Sequence, residues 1–130
     1  MANELTDYEQ NLVTVVDGHD LSDIIKPFIK EIHLFDSYIA GTTHLEDASV
    51  LDNIKEGESL LLRREDNRFD SNAILILNEQ DKKLGYVPEK DNTVFARLMD
   101  AGKILKAKVN RIEDKGYMKV IGVGIYLVDL

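Results

Sequence analysis

The stretch Ala73-Ile74-Leu75-Ile76-Leu77 is apolar throughout and has turn chemistry at both ends. Before it stands Asn67-Arg68-Phe69-Asp70-Ser71-Asn72, and after it Asn78-Glu79-Gln80-Asp81. Bounded in this way, the run reads as a buried strand. The second turn leads into Lys83-Leu84-Gly85-Tyr86-Val87, so the two strands make a hairpin that Pro88 ends. The first loop differs in kind. It is dense in hydrogen-bonding side chains around one aromatic. A polar, aromatic-bearing loop feeding a buried strand is a common way to build a rigid recognition site. The plainer reading is that Asn67, Asp70 and Asn72 satisfy a tight turn while Phe69 caps the core.

The same reasoning extends along the chain. Residues 1–18 read as a short helix or a loose acidic arm. Asp20 or Ser22 can cap a helix through Ile24, Ile25, Phe28, Ile29 and Ile32, whose spacing makes one apolar face. His33 to Gly41 reads as a strand, Thr42 to Glu58 as a loop with one helical turn, and Ser59 to Arg64 as a strand. Asp91 or Asn92 is placed to cap a helix that Gly102 stops. Its spacing predicts a packed face of Val94, Leu98 and Ala101, flanked by Phe95 and Met99. From Ile104 to Ile112 the pattern alternates, with Leu105, Ala107 and Val109 on one side and Lys106, Lys108 and Asn110 on the other. Lys115-Gly116 is a turn into the last strand, Met118–Val128, where Gly122 and Gly124 allow close backbone approach.

Five or six short strands with one or two packed helices make the chain mainly β, of the α+β kind. They suggest a small, partly open barrel, and such barrels often present a face and loops to single strands. Residues 1–34 form an acidic N-terminal helical extension and 35–130 the barrel domain. The net charge is −8, which argues against a generic nucleic-acid binder. The distribution tempers this. Residues 1–34 carry seven acids against Lys26 and Lys30, and the other 96 residues carry 17 acids and 14 bases. Local basic patches remain there, notably Arg63, Arg64 and Arg68, and Lys103, Lys106, Lys108 and Arg111. With no cysteine there is no disulfide, thiolate metal site or cysteine nucleophile. The acidic start has no signal-peptide pattern, and no apolar stretch approaches membrane-spanning length, so a cytoplasmic protein without membrane contact is expected.

Together with Ile39-Ala40-Gly41-Thr42-Thr43-His44 ahead and Asn92–Gly102 behind, the Asn67–Ile74 and Leu84–Pro88 segments resemble the HIRAN domain. That module is found alone in bacteria and at the front of certain eukaryotic helicase-like chromatin and repair proteins. The resemblance is collinear from about Phe35 onward. It implies a barrel related to the oligonucleotide-binding type and a pocket that captures the 3′ end of single-stranded DNA. In that pattern an aromatic stacks on the terminal base, an aspartate accepts the 3′ hydroxyl, and basic side chains hold phosphates. Carried over, these positions are Phe69 and Asp70, with Asn67 and Asn72 at the pattern's asparagines. Arg63 stands at the arginine that opens the pattern, and Tyr86 replaces a histidine. Thr43 and His44 follow the first glycine, where the DNA-binding eukaryotic member has a basic residue and an aromatic. Lys90 lies just beyond the position of another basic residue, and Glu65 and Arg68 replace prolines.

The resemblance therefore implies a non-catalytic module of bacterial type for single-stranded DNA ends in DNA repair or processing, with protein partners there and no cofactor or metal. The other reading is a protein-interaction or structural module that kept the fold and lost the phosphate grip. An enzyme reading is weaker. Glu113-Asp114-Lys115 has the Glu-x-Lys spacing of a metal-dependent nuclease, but it falls at a turn. His19, His33 and His44 lack ligand spacing, and no phosphate-binding glycine loop or nucleophile elbow occurs.

Overall fold

The computed structural model describes residues 29–45 and 47–129. The expected acidic arm, most of the expected first helix and His19 lie outside the described residues. Where that helix was to end, the chain is already extended. The first strand, β1, runs Lys30–Tyr38 and includes Ile32. A β-branched residue fits a pleated strand as well as a helix face, so the apolar spacing there was ambiguous.

After β1, two 3-10 segments, Thr42–His44 and Ala48–Asn53, occupy the predicted loop. Then follow β2 (Ser59–Arg64), β3 (Ile74–Leu77), β4 (Lys83–Tyr86), the helix α1 (Glu89–Asp100), β5 (Leu105–Asp114) and β6 (Lys119–Asp129). The six strands form one sheet in the order β1-β6-β5-β2-β3-β4. The β2–β3, β2–β5, β3–β4 and β5–β6 pairings are antiparallel.

The sheet curls until its edges meet at one point. Ala40, just past β1, exchanges two backbone hydrogen bonds with Tyr86 of β4, at 2.8 and 2.9 Å. The Ile39 N–H donates to the Ile121 carbonyl of β6 at 2.9 Å. One bridge in place of a full ladder leaves the barrel partly open, as expected from the strand count. Gly85 permits this approach. A methyl group there would overlap the Ala40 carbonyl oxygen and the Ile39 side chain.

The inner positions of the strands supply the core. Leu60, Ile74, Ile76, Leu84, Val109, Ile121, Val123 and Ile125 are fully buried. Each contributes about 1.5–3 kcal/mol relative to an exposed position. The β5 alternation holds: Leu105, Ala107 and Val109 face in, while Lys106, Lys108 and Asn110 face out.

Helix α1 differs from expectation at its start and in its packed face. It begins at Glu89 directly after Pro88, so Asp91 and Asn92 lie inside the helix and do not cap it. Val94 is 63% exposed and Ala101 is exposed, with Leu98 only half-buried. The buried side is Asn92, Phe95 and Ala96, with Met99 half-buried one turn on. These residues keep helical spacing, rotated by one position from the predicted stripe. Asn92 masked the pattern, because a polar residue on the inner face breaks an apolar count.

Candidate nucleic-acid interface

The loop between β2 and β3 is built by its own side chains. The Asn67 Oδ1 accepts from the Phe69 N–H at 2.8 Å, and the Asp70 Oδ1 accepts from the Asn72 N–H at 2.9 Å. Two successive side-chain turns of this kind set the path of the backbone. The Glu65 N–H donates to the Ala73 carbonyl and closes the loop at its base.

Groups from outside then pin it. Arg64 donates to the Ala73 and Ser71 carbonyls at 2.6 and 2.8 Å, and through Nε to Asp100 of α1 at 2.9 Å. This contact raises the Arg64 pKa and lowers that of Asp100. Asn92, 1% exposed, donates its amide to the Asp70 Oδ2 at 2.8 Å. Asn72 reaches Thr93 at 3.4 Å. Glu65 accepts from the Asn67 amide at 3.1 Å and from the Tyr86 hydroxyl at 2.8 Å. The loop is thus tied to α1 and to β4.

At its apex Phe69 is 82% exposed, with the Arg68 guanidinium 4.9 Å above its ring. Phe69 therefore does not cap the core. Beside the loop lies a shallow pocket of about 230 Å³, lined by Ala40, Gly41, Asn67, Asp70, Tyr86 and Glu89 among others. The Lys83 ammonium sits 4.6 Å from the Tyr86 ring centre.

Of the residues singled out in the sequence, Asn67, Asp70 and Tyr86 line this pocket, and Asn72 is bonded to Asp70. Phe69 stands next to it in the chain but points out from the loop and does not line it. Arg63 is in cross-strand register with Leu75, and Leu75 with Tyr86, so it shares their face two strands away. It pairs there with Asp81. Lys90 lies over the Tyr38 ring at 5.5 Å, on a separate groove with Leu34, Phe35 and Val94. Thr43 and His44 line two other hollows, His44 beside Lys82 and Lys83. These three residues are not part of the Asp70–Tyr86 pocket.

Sequence reasoning missed Asn92 as the partner of Asp70, and Glu65 as the acceptor joining Asn67 to Tyr86. A signal for Asn92 existed, since it lies three and four residues before Phe95 and Ala96. Glu65 carried no local signal, because its partner Tyr86 is distant in the chain. No group of three or more metal-ligating side chains occurs among the described residues. Glu113 is held in ion pairs with Arg111 and Lys115, which lower its pKa. Among the described residues no helix is long and apolar enough to cross a membrane.

Two solved structures share this architecture. A Lactobacillus plantarum protein is 26% identical with a TM-score of 0.72, covering 78% of this chain and 99% of its own. The HIRAN domain of human HLTF is 16% identical with a TM-score of 0.61, covering 77% and 78%, a likeness of fold. No curated protein matches the chain. The HIRAN domain family model matches residues 32–123, a span that holds the whole pinned loop, the pocket and α1, and the chain belongs to that family, which is known as a nucleic-acid-binding module.

Proposed function

We propose that this chain is a non-catalytic module that binds single-stranded DNA at free 3′-hydroxyl ends, in DNA repair or processing. The observation that carries the reading is the apex of the β2–β3 loop. An aromatic ring and a guanidinium are stacked and exposed together, on a loop anchored from behind by Arg64 and Asn92. Stacking on such a ring is open to any unpaired base and closed to one inside a duplex. Asp70, the next residue, keeps acceptor capacity beyond its bonds to Asn72 and Asn92, since a carboxylate has about four lone-pair sites. It can accept a terminal hydroxyl and repels a terminal phosphate. Arg68 lies over the Phe69 ring and Lys83 over the Tyr86 ring, and each can offer a cation to a phosphate beside the pocket. Thr43, His44, Arg63 and Lys90 lie outside the pocket, so any contact they make is with nucleotides further from the end.

Titration of labelled single strands with different ends tests this. A 3′-hydroxyl strand binds more tightly than a 3′-phosphate strand or a blunt duplex. Phe69→Ala weakens binding by about 1–3 kcal/mol through lost stacking. Asp70→Ala removes the preference between ends. A second reading, a protein-interaction module, draws on the acidic lining of the pocket by Asp70 and Glu89. Equal affinity for all ends, or no binding at low salt, selects it.

A further inference from the structure

Cross-strand register lays a continuous path over the outside of the barrel, starting at the pocket. Tyr86 of β4, Leu75 of β3 and Arg63 of β2 stand side by side. Two residues along β2, the exposed Leu61 stands beside Lys106 of β5. Lys106 in turn faces Tyr126 of β6, and Lys108 faces Gly124. From β4 to β5 is three strand spacings, about 14 Å, well within the reach of a strand of about 4–16 nucleotides on such a barrel.

At the far end of this path two ammonium groups converge on one carboxylate. The Glu31 side chain of β1 accepts from Lys106 at 2.5 Å and from Lys108 at 2.6 Å, one lysine to each oxygen. These two hydrogen bonds lower the Glu31 pKa, so the bridge is ionic at neutral pH. Tyr126 backs the seat. The Lys108 ammonium lies 4.9 Å from its ring centre, and the His33 ring meets it edge-on at 5.2 Å. Gly124 makes room, since a Cβ there would be 3.0 Å from the Tyr126 ring. Two lysines set to hold two oxygens of one anionic group have the donor arrangement that a phosphodiester also satisfies.

We propose that Lys106 and Lys108 form a phosphate seat for the strand running away from the pocket, and that Glu31 occupies this seat in the free chain as an internal competitor. The proposal rests on the single-strand reading given above. Binding of a longer strand exchanges the carboxylate for a phosphate, which makes Glu31 a brake on affinity that acts only beyond the first few nucleotides.

The test uses 5′-labelled oligothymidylates of four and twelve nucleotides with 3′-hydroxyl ends. The full chain is titrated at several salt concentrations. The twelve-nucleotide strand binds more tightly, and its salt slope is steeper by about 0.7 for each extra phosphate seated. Lys106→Gln with Lys108→Gln removes that gain and leaves the four-nucleotide affinity unchanged. Glu31→Gln strengthens only the longer strand, by about two- to fivefold, the scale of surface ion pairing. Thermal unfolding verifies that each variant is folded. Tight binding of the short strand with a length gain that survives the double substitution overturns the seat and spares the end-binding reading. Unchanged or weaker binding of the longer strand by Glu31→Gln overturns the competitor. Failure of both strands to bind overturns the end-binding reading and the seat together.

Discussion

Two loops leave opposite ends of β3, and their difference shows what separates a turn from a recognition element. In the loop to β4, Asn78 accepts from the Gln80 and Lys82 N–H groups at 3.0 and 2.9 Å, and Asp81 takes a positive φ of 66°. Those contacts close the turn on itself, and its outward tie is the exposed Arg63–Asp81 pair. In the loop from β2, Asn67 and Asp70 make the same kind of local turn, but their remaining polar atoms reach Glu65 and Asn92. The sequence chemistry of the two loops is nearly the same. What differs is whether a second element stands within reach of the side chain. Only the second loop presents an exposed aromatic on an anchored backbone, which lowers the conformational entropy lost on binding.

The most damaging way to break this contrast is through the helix that anchors the β2–β3 loop. Phe95→Ala should destabilise the fold by about 3–5 kcal/mol in denaturant unfolding, whereas Val94→Ala on the open face should stay within about 0.5 kcal/mol. The reverse order would restore the helix face predicted from spacing. Next, Asn92→Ala removes a buried donor to a carboxylate and should lower stability by about 1.5–3 kcal/mol. Asn78→Ala, in the self-contained turn, should lower it by about 0.5–1.5 kcal/mol. Equal losses would mean that the two loops do not differ in anchoring.

The Arg64–Asp100 tie should show a smaller effect, visible as a pH dependence. The Arg64 hydrogen bond depresses the Asp100 pKa in the folded chain. Its contribution is therefore present above the ordinary carboxylate value near 3.8 and is lost as pH falls through the lower folded value. Thermal unfolding of wild type against Asp100→Asn should differ at about pH 6, and the difference should shrink as pH falls below the ordinary carboxylate range. The smallest effect is the sharpest test of the apex. Phe69→Ala should change stability by less than about 0.5 kcal/mol. A clear loss in denaturant would show that the ring packs against the fold and is not a free platform.

Much of this architecture is legible in local pattern. The Ala73–Leu77 run, the Leu105–Val109 alternation and the Asn78 and Lys115-Gly116 turns depend on neighbours one to four residues away, so short-range propensity decides them. The partly open barrel follows from the number and length of such strands. Sequence also selected Asn67, Asp70 and Tyr86, which meet in one pocket. Other features depended on partners distant in the chain. The α1 face turned by one residue because Asp70, 22 positions earlier, makes a buried Asn92 favourable. Ile32 became strand because β6 offers an edge, where helical spacing alone pointed elsewhere. Thr43, His44 and Lys90 left the pocket because the 3-10 segment after Gly41 and the early start of α1 turn them onto other walls. The Lys106–Glu31–Lys108 bridge joins residues more than 70 positions apart. Local steric and hydrogen-bonding preferences are written into adjacent residues. A polar side chain's partner is set by which elements the curled sheet brings within about 3 Å, and that is a property of the tertiary fold.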